Sequence, residues 1–307
     1  VYSEEGEFLT VLGREGEGPG EFRRPGGLFF LADGRLAVLQ SRPARIILLD
    51  TDGTPAGDIP LPGTEEEGFR FVQEAALRDG VLALRGMTFR RKGQGGERRT
   101  RLTLVERETG DLTELDSRST TFDFARPVIR EADSQYFWDL LPGGRVLLVD
   151  DFDYRLRIYG ADGAQERRID VAYPDLTRSG ARKSEREAEL AASRRFGGRH
   201  GRRAEPEIEV EDREPGIRWF GVDGRGLIWV LSGRGAELAD DDHLGRFDIF
   251  DGEGRLAHRV TLAGDGDLTR DRFLIRGDRL IVLKEYREAR RAMRGSSDEE
   301  AEEDYDE

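Results

Sequence analysis

The residues best suited to chemistry form one short run, Asp240-Asp241-Asp242-His243. Carboxylates and imidazole bind divalent metal ions, so the run contains suitable ligand types. Consecutive side chains point in different directions, however, and rarely close around one ion. A second run, Asp50-Thr51-Asp52-Gly53, begins like a calcium-binding loop, but Thr54 replaces the third acidic ligand. The sequence therefore predicts no metal site and no cofactor at either run.

The inventory of catalytic residue types is short. The chain has no cysteine, and its three histidines are His200, His243 and His258. The missing cysteine excludes thiol catalysis and zinc–thiolate sites, and the scattered histidines do not favour a zinc site. The sequence also lacks the G-x-S-x-G motif around a nucleophilic serine. These observations favour a protein without catalytic activity.

Charge limits the classes of partner. The formal net charge of −14 at pH 7 argues against a general affinity for nucleic acid or anionic membranes. The last ten residues carry eight carboxylates, and we predict that residues 292–307 form an acidic disordered tail. One internal segment is basic instead and contains Arg90, Arg91, Lys92 and Arg98. No apolar stretch reaches the ~18 residues that a membrane span needs, and the first residues do not resemble a signal peptide.

The elements that must position these residues are repeated. Residues 26–59 and 135–169 follow one pattern of strand, glycine turn, strand, short link, strand, glycine turn and strand. Residues 72–115 and 217–260 keep this outline with a longer middle, and residues 271–286 match its first half. The first twelve residues match its second half. Four-stranded antiparallel meanders that repeat in this way are typical of β-propeller blades, so we predict an all-β protein.

The sequence GEGPGEFRRPGGLFFLADGRLAVLQSRPARIILLDTDG, residues 16–53, is similar to the NHL-type repeat. Residues 1–291 resemble a bacterial group of six-bladed NHL-like β-propellers. The resemblance implies a single propeller domain in an extracytoplasmic protein (periplasmic, secreted or membrane-anchored) and no particular activity. Counting gives four full blades and two half-blades. The resemblance favours an incomplete six-bladed parent, and pairing of the two halves into a five-bladed ring is the alternative.

The unusually long links between strands fall at corresponding places in the repeats. Residues 87–99 and 232–242 expand the link between the second and third strands, and residues 174–216 expand the link between two blades. In a meander these links share one face, so we expect long binding loops on that face. Within 174–216 we predict a helix over 182–196 with Ser184 as its N-cap and a flexible charged linker after it.

The sequence thus favours a non-catalytic binding or scaffolding propeller that recognises a protein, a peptide or a small polar ligand on the insertion-bearing face. One alternative is a metal-dependent hydrolase or lactonase at the channel mouth. The sequence also leaves open whether a structural calcium ion is bound in the channel. RNA binding through a basic face is the third interpretation. Trp138 and Trp219 lie on predicted innermost strands, where they line the channel or pack in the core. The candidate binding residues are Arg90, Arg91, Lys92, Arg98, Trp138, Arg218, Trp219, Asp240, Asp241, Asp242 and His243.

Overall fold

A computed structural model describes residues 1, 3, 7–23, 25–59, 61, 71–106, 109–172, 176–193, 206–240, 242–267, 270–286 and 288–289. The acidic segment 292–307, His200 and Asp241 lie outside the described residues. Two compact units are present. Unit 1 comprises Val1–Phe124, Pro142–Val146 and Tyr159–Glu166, and unit 2 comprises Ala125–Leu141, Leu147–Ile158 and Arg167–Glu307.

Strands dominate both units. In chain order they are β1 (Pro25–Phe30), β2 (Leu36–Ser41), β3 (Ala44–Leu49), β4 (Pro55–Ile59), β5 (Phe71–Arg78), β6 (Val81–Lys92), β7 (Gly95–Val105), β8 (Leu112–Asp123), β9 (Val128–Arg130), β10 (Phe137–Leu140), β11 (Val146–Val149), β12 (Arg155–Tyr159), β13 (Gln165–Asp170), β14 (Glu207–Glu209), β15 (Ile217–Val222), β16 (Ile228–Ser232), β17 (His243–Phe250), β18 (Leu256–Ala263), β19 (Arg272–Arg276) and β20 (Arg279–Leu283). The α-helices in the described part of the chain are α1 (Gly180–Ser193) and α2 (Gly233–Ala236), and short 3-10 helices span Glu131–Ser134 and Pro142–Gly144.

The predicted repeat is confirmed at the level of the sheets. β1–β4, β5–β8, β10–β13 and β15–β18 each form a four-stranded sheet whose strands follow one another in chain order, and β19 pairs with β20. Each four-stranded sheet has the construction of a propeller blade, so the chain is a propeller-like all-β protein. The single-propeller domain and the number of blades stay predictions.

Glycine closes the predicted tight turns, because these positions need a left-handed backbone that other residues avoid. The φ angles of the seven turn glycines lie between 74° and 88°. The seven are Gly34, Gly53, Gly80, Gly110, Gly163, Gly226 and Gly254.

The second and third strands of the blades form the hydrophobic core. All four residues of β11 are buried, and β2 has four buried residues between two partly buried ends. Such nearly continuous apolar runs are buried on both faces, as their sequences predict. One core cluster in unit 1 contains Leu39, Ile46 and Leu84, and another in unit 2 contains Leu147 and Val230.

Three local predictions need correction. Residues 87–99 are not a loop, because β6 and β7 continue through them and leave only a Gly93–Gln94 turn. The helix begins at Gly180, two residues before its predicted start. It is described as far as Ser193, and residues 194–196 of the prediction lie outside the described residues. The backbone N–H of Arg182 donates to the Ser179 hydroxyl over 3.2 Å, so Ser179 is the N-cap instead of Ser184.

The described part of the predicted flexible linker, residues 206–216, also has regular structure. β14 pairs in parallel with β9, in the register Glu207 to Val128 and Glu209 to Arg130. The Arg130 Nε atom donates to a Glu209 carboxylate oxygen over 2.9 Å. The segment after α1 is therefore attached to the chain that precedes β10.

Candidate functional site

The basic segment singled out in the sequence, which contains Arg90, Arg91, Lys92 and Arg98, lies on a three-stranded extension of the sheet β5–β8. This extension consists of residues 86–101 in β6 and β7 together with residues 117–123 of β8, and we call it the β6–β8 extension. The register is unbroken here, with Lys92 opposite Gly95 and Gly95 opposite Asp123. This continuous hydrogen-bonded ladder makes the extension a firmer support for side chains than the loop that the sequence predicted.

Four predicted binding residues come together on this extension. Arg90, Arg91 and Lys92 end β6 with exposed side chains. Successive strand residues face opposite sides, so Arg90 and Lys92 share one face and Arg91 lies on the other. Arg98 is half-buried, and its Nε atom donates to the Thr120 hydroxyl over 3.1 Å. The tip of the extension is therefore cationic on both faces.

An aromatic row runs beside these cations. Phe89 contacts Phe71 and Phe122 edge to face, with ring centroids 5.8 Å and 6.0 Å away, and Phe122 contacts Phe124 at 5.1 Å. The Arg91 guanidinium lies 5.7 Å from the centre of the Phe124 ring, whose residue is 52% exposed. Such a cation–aromatic pair presents charge and apolar surface together. This combination suits recognition of an anionic chain.

In the acidic run at 240–243, the described residues Asp240, Asp242 and His243 are joined by hydrogen bonds. The Asp240 carboxylate accepts hydrogen bonds from the His243 ring, at 2.8 Å, and from the backbone N–H of Asp242, at 2.9 Å. The hydrogen bond from His243, together with that from the Asp242 backbone, holds the pKa of Asp240 below its usual value. Within the described residues, no group of three or more acidic or histidine side chains is arranged to hold a metal ion. The observed contacts hold Asp240, Asp242 and His243 to one another.

The two candidate tryptophans are partly buried residues of β10 and β15. Trp219 on β15 contacts Phe247 and Phe273, and its Nε1 atom donates to the Phe273 carbonyl over 3.2 Å. It is therefore part of the hydrophobic core of unit 2. Trp138 is a partly buried residue of β10.

Arg218 belongs to a buried ionic cluster that the sequence did not reveal. The Arg178 side chain is fully buried and donates to both carboxylate oxygens of Glu131, at 2.5 Å and 3.0 Å, and to Glu214 at 2.9 Å. Arg186 on α1 donates to Glu131 at 2.7 Å, and Arg218 donates to Glu214 at 2.9 Å. The cluster connects α1 to the chain before β10 and to the start of β15.

Burial and pairing together set the ionisation of this cluster. Burial alone would raise the pKa of Glu214, but hydrogen bonding to Arg178 and the charges of Arg218 and Arg178 lower it to about 2. Burial also opposes ionisation of Glu131, and the hydrogen bonds from Arg178 and Arg186 outweigh it, so its pKa is lowered. Burial lowers the pKa of Arg218 despite the nearby Glu214 charge. Both carboxylates are thus ionised at neutral pH and unsuited to donating protons.

A polar cleft of about 290 Å³ adjoins this cluster in unit 2. In its wall, Arg213 donates to Asp153 at 2.7 Å, and Arg155 donates to Asp170 at 2.7 Å. Hydrogen bonds from Arg168 and Arg155 lower the pKa of Asp170 to about 2. The charged groups of the cleft therefore engage one another and hold β12 and β13 to the segment before β15.

Comparisons with known proteins do not assign a family. No family model and no curated protein matches the sequence. A streptogramin B lyase structure is similar at 11% identity and a TM-score of 0.39, over 85% of this chain and 62% of that one. An assumed exported protein of Bacteroides fragilis has 12% identity and a TM-score of 0.40, over 89% of this chain and 69% of that one. A member of the DUF4221 family from Bacteroides vulgatus has 10% identity and a TM-score of 0.34, over 83% and 86%.

This chain spans less than two thirds of the lyase structure. With TM-scores of 0.40 and below, these three structures assign no function to this chain. The NHL-type resemblance stays an expectation from sequence. No helix in the described part of the chain is long and apolar enough to cross a membrane.

Proposed function

We propose that this chain is a non-catalytic binding or scaffolding propeller that captures an acidic peptide or protein segment on the β6–β8 extension. The observation that carries the proposal is the exposed trio Arg90, Arg91 and Lys92 at the tip of the antiparallel pair β6–β7. Binding residues are commonly held on such projecting elements of a stable scaffold. The sequence resemblance supports an extracytoplasmic location for this activity.

An acidic peptide fits the extension better than RNA does. The chain is strongly acidic overall, which repels a long polyanion. The extension itself carries the acidic side chains of Glu97 and Asp123. A short segment that contacts only the extension avoids the repulsion from the rest of the chain, and within the extension it can bind the arginines and the lysine instead of Glu97 and Asp123.

The test uses a fluorescent peptide as long as β8 in which glutamate and valine alternate. We expect the wild type to bind it, and the triple variant Arg90→Ala/Arg91→Ala/Lys92→Ala to bind about tenfold more weakly, since exposed ion pairs contribute up to about 1 kcal/mol each. Fluorescence anisotropy measures both affinities. Because the attraction is electrostatic, added salt should weaken wild-type binding.

A matched triple variant, Arg225→Ala/Arg255→Ala/Arg276→Ala, removes three exposed arginines from unit 2. It should bind the peptide as the wild type does. Equal losses in both variants would show that total charge matters instead of the extension. A preference for a single-stranded oligouridylate over the peptide would favour the RNA interpretation.

A further inference from the structure

β8 is an outer strand of unusual length for this chain. It has 12 residues, whereas the last strands of the other blades, β4, β13 and β18, have 5, 6 and 8. Within the described residues its sheet ends at β8, which has β7 as its one neighbour strand. The other edge of an outer strand presents backbone N–H and C=O groups that can pair with a further strand.

The first half of β8 has some of the usual protection of an exposed edge, since it carries Glu114 and Asp116 and a bulge interrupts its pairing with β7 there, but residues 117–123 have less of it. Natural edge strands are often short, or interrupted by proline or lysine. β8 reads LTELDSRSTTFD, without proline or lysine, and is rich in serine and threonine. Over residues 117–123 its register with β7 is also regular, so no bulge turns this part of the edge aside.

The register between β7 and β8 also shows which side chains lie near a strand added beside β8. Thr100 lies opposite Arg118, and Arg98 lies opposite Thr120, so these four side chains share one face of the sheet. Arg98 and Arg118 therefore lie on one face of the sheet. Every second side chain of a strand added beside β8 would lie on the same face. Cross-strand pairs of opposite charge stabilise sheets, so acidic residues are favoured there.

We propose that an extended acidic segment of a partner adds to β8 as a fifth strand of this sheet. This inference rests on the proposed function and adds the mode of binding. Backbone pairing with β8 supplies affinity, and the arginines select acidic side chains on one face. A second copy of this chain is a poorer occupant, because pairing two β8 strands would bring two cationic extensions together.

The decisive reagent is a second peptide with the same alternating glutamate–valine sequence and N-methyl groups on two adjacent central residues. Successive N–H groups point to opposite edges of a strand, so these methyl groups block both edges while the side-chain charges stay the same. We expect the methylated peptide to bind the wild type at least about tenfold more weakly than the unmethylated one, because the methyl group on the paired edge removes one backbone hydrogen bond and its bulk prevents close pairing of the neighbouring residues.

Each outcome has one meaning. Equal binding of the two peptides, with binding still lost in the Arg90→Ala/Arg91→Ala/Lys92→Ala variant, would overturn strand addition and leave the proposed function standing. Failure of both peptides to bind, or binding unaffected by the triple variant, would overturn both proposals. A wild-type dimer in sedimentation experiments that the unmethylated peptide cannot dissociate would assign the edge to a second copy and overturn the acidic partner.

Discussion

The buried pair of Glu131 and Arg178 joins the insertion, residues 174–216, to the chain before β10. Glu131 is 1% exposed, and its carboxylate also accepts a hydrogen bond from the backbone N–H of Glu211 over 3.1 Å. Charges in such a site are tolerated only when partners compensate for lost hydration. Sequence reasoning missed the cluster because its members are spread from 131 to 218 without periodic spacing. Arg218 was named as a binding residue, and the structure gives it a partner within the chain.

We predict that Glu131→Gln lowers the free energy of unfolding by about 3 kcal/mol, because removal of one partner leaves Arg178 incompletely compensated in a buried site. Urea unfolding measures the loss. Glu209→Gln removes the exposed partner of Arg130 and should cost less than about 1 kcal/mol. Similar costs for the two variants would show that the buried cluster is not a special source of stability.

Acid should weaken the same cluster. Glu131 and Glu214 have pKa values below the usual 4.5, that of Glu214 being about 2, so the folded state holds their protons less tightly than the unfolded state. The contribution of these two carboxylates to the free energy of unfolding is fully present above about pH 4.5 and is lost as the pH falls toward 2. Glu131→Gln should accordingly lose less stability than the wild type over this interval. A pH dependence unchanged by the variant would contradict the assignment.

At the scale of elements, the sequence placed α1 closely but chose the wrong cap. Ser184 with Glu187 matches a capping box, yet the helix has already begun at Gly180. Sequence propensity alone did not reveal the earlier start, because it depends on tertiary contacts: Arg178 is held by Glu131 just before Ser179. The Lys183–Asp212 ion pair, at 2.5 Å, also holds the first turn.

We predict that Ser179→Ala destabilises the protein by about 1 kcal/mol, since the Arg182 backbone N–H loses its acceptor. Ser184→Ala serves as the control and should change stability little, because Ser184 is an exposed residue inside the helix. Thermal unfolding of the two variants checks this difference. A larger loss in Ser184→Ala would restore the cap that the sequence predicts.

The β6–β8 extension shows a second limit of sequence patterns. The segment RRKGQGG looks like a loop because charge and glycine dominate it. Pairing with β8 and the contacts among Phe71, Phe89 and Phe122 stabilise it as strand instead. Gly96 is required by packing, since a Cβ there would lie 2.2 Å from the Arg90 carbonyl oxygen. Such non-local support is not visible in the segment itself.

At the scale of the whole molecule, the repeat was the most informative part of the sequence. Glycine turns and buried central strands recur with each unit, and all four complete units became four-stranded sheets. The repeated pattern records local pairing and burial, which the sequence encodes directly. The repeated pattern does not indicate which residues bind a partner. The candidate residues came from charge and spacing, and only some of them share a surface in the structure.

The measurement that tests the central claim most directly is hydrogen exchange along the whole chain with and without the alternating glutamate–valine peptide. We predict slower exchange on binding in residues 86–101 and 117–123, with β18 in unit 2, also the last strand of its sheet, unchanged as an internal control. Slower exchange confined to the polar cleft at Asp153 and Arg213, with none in the extension, would contradict the account.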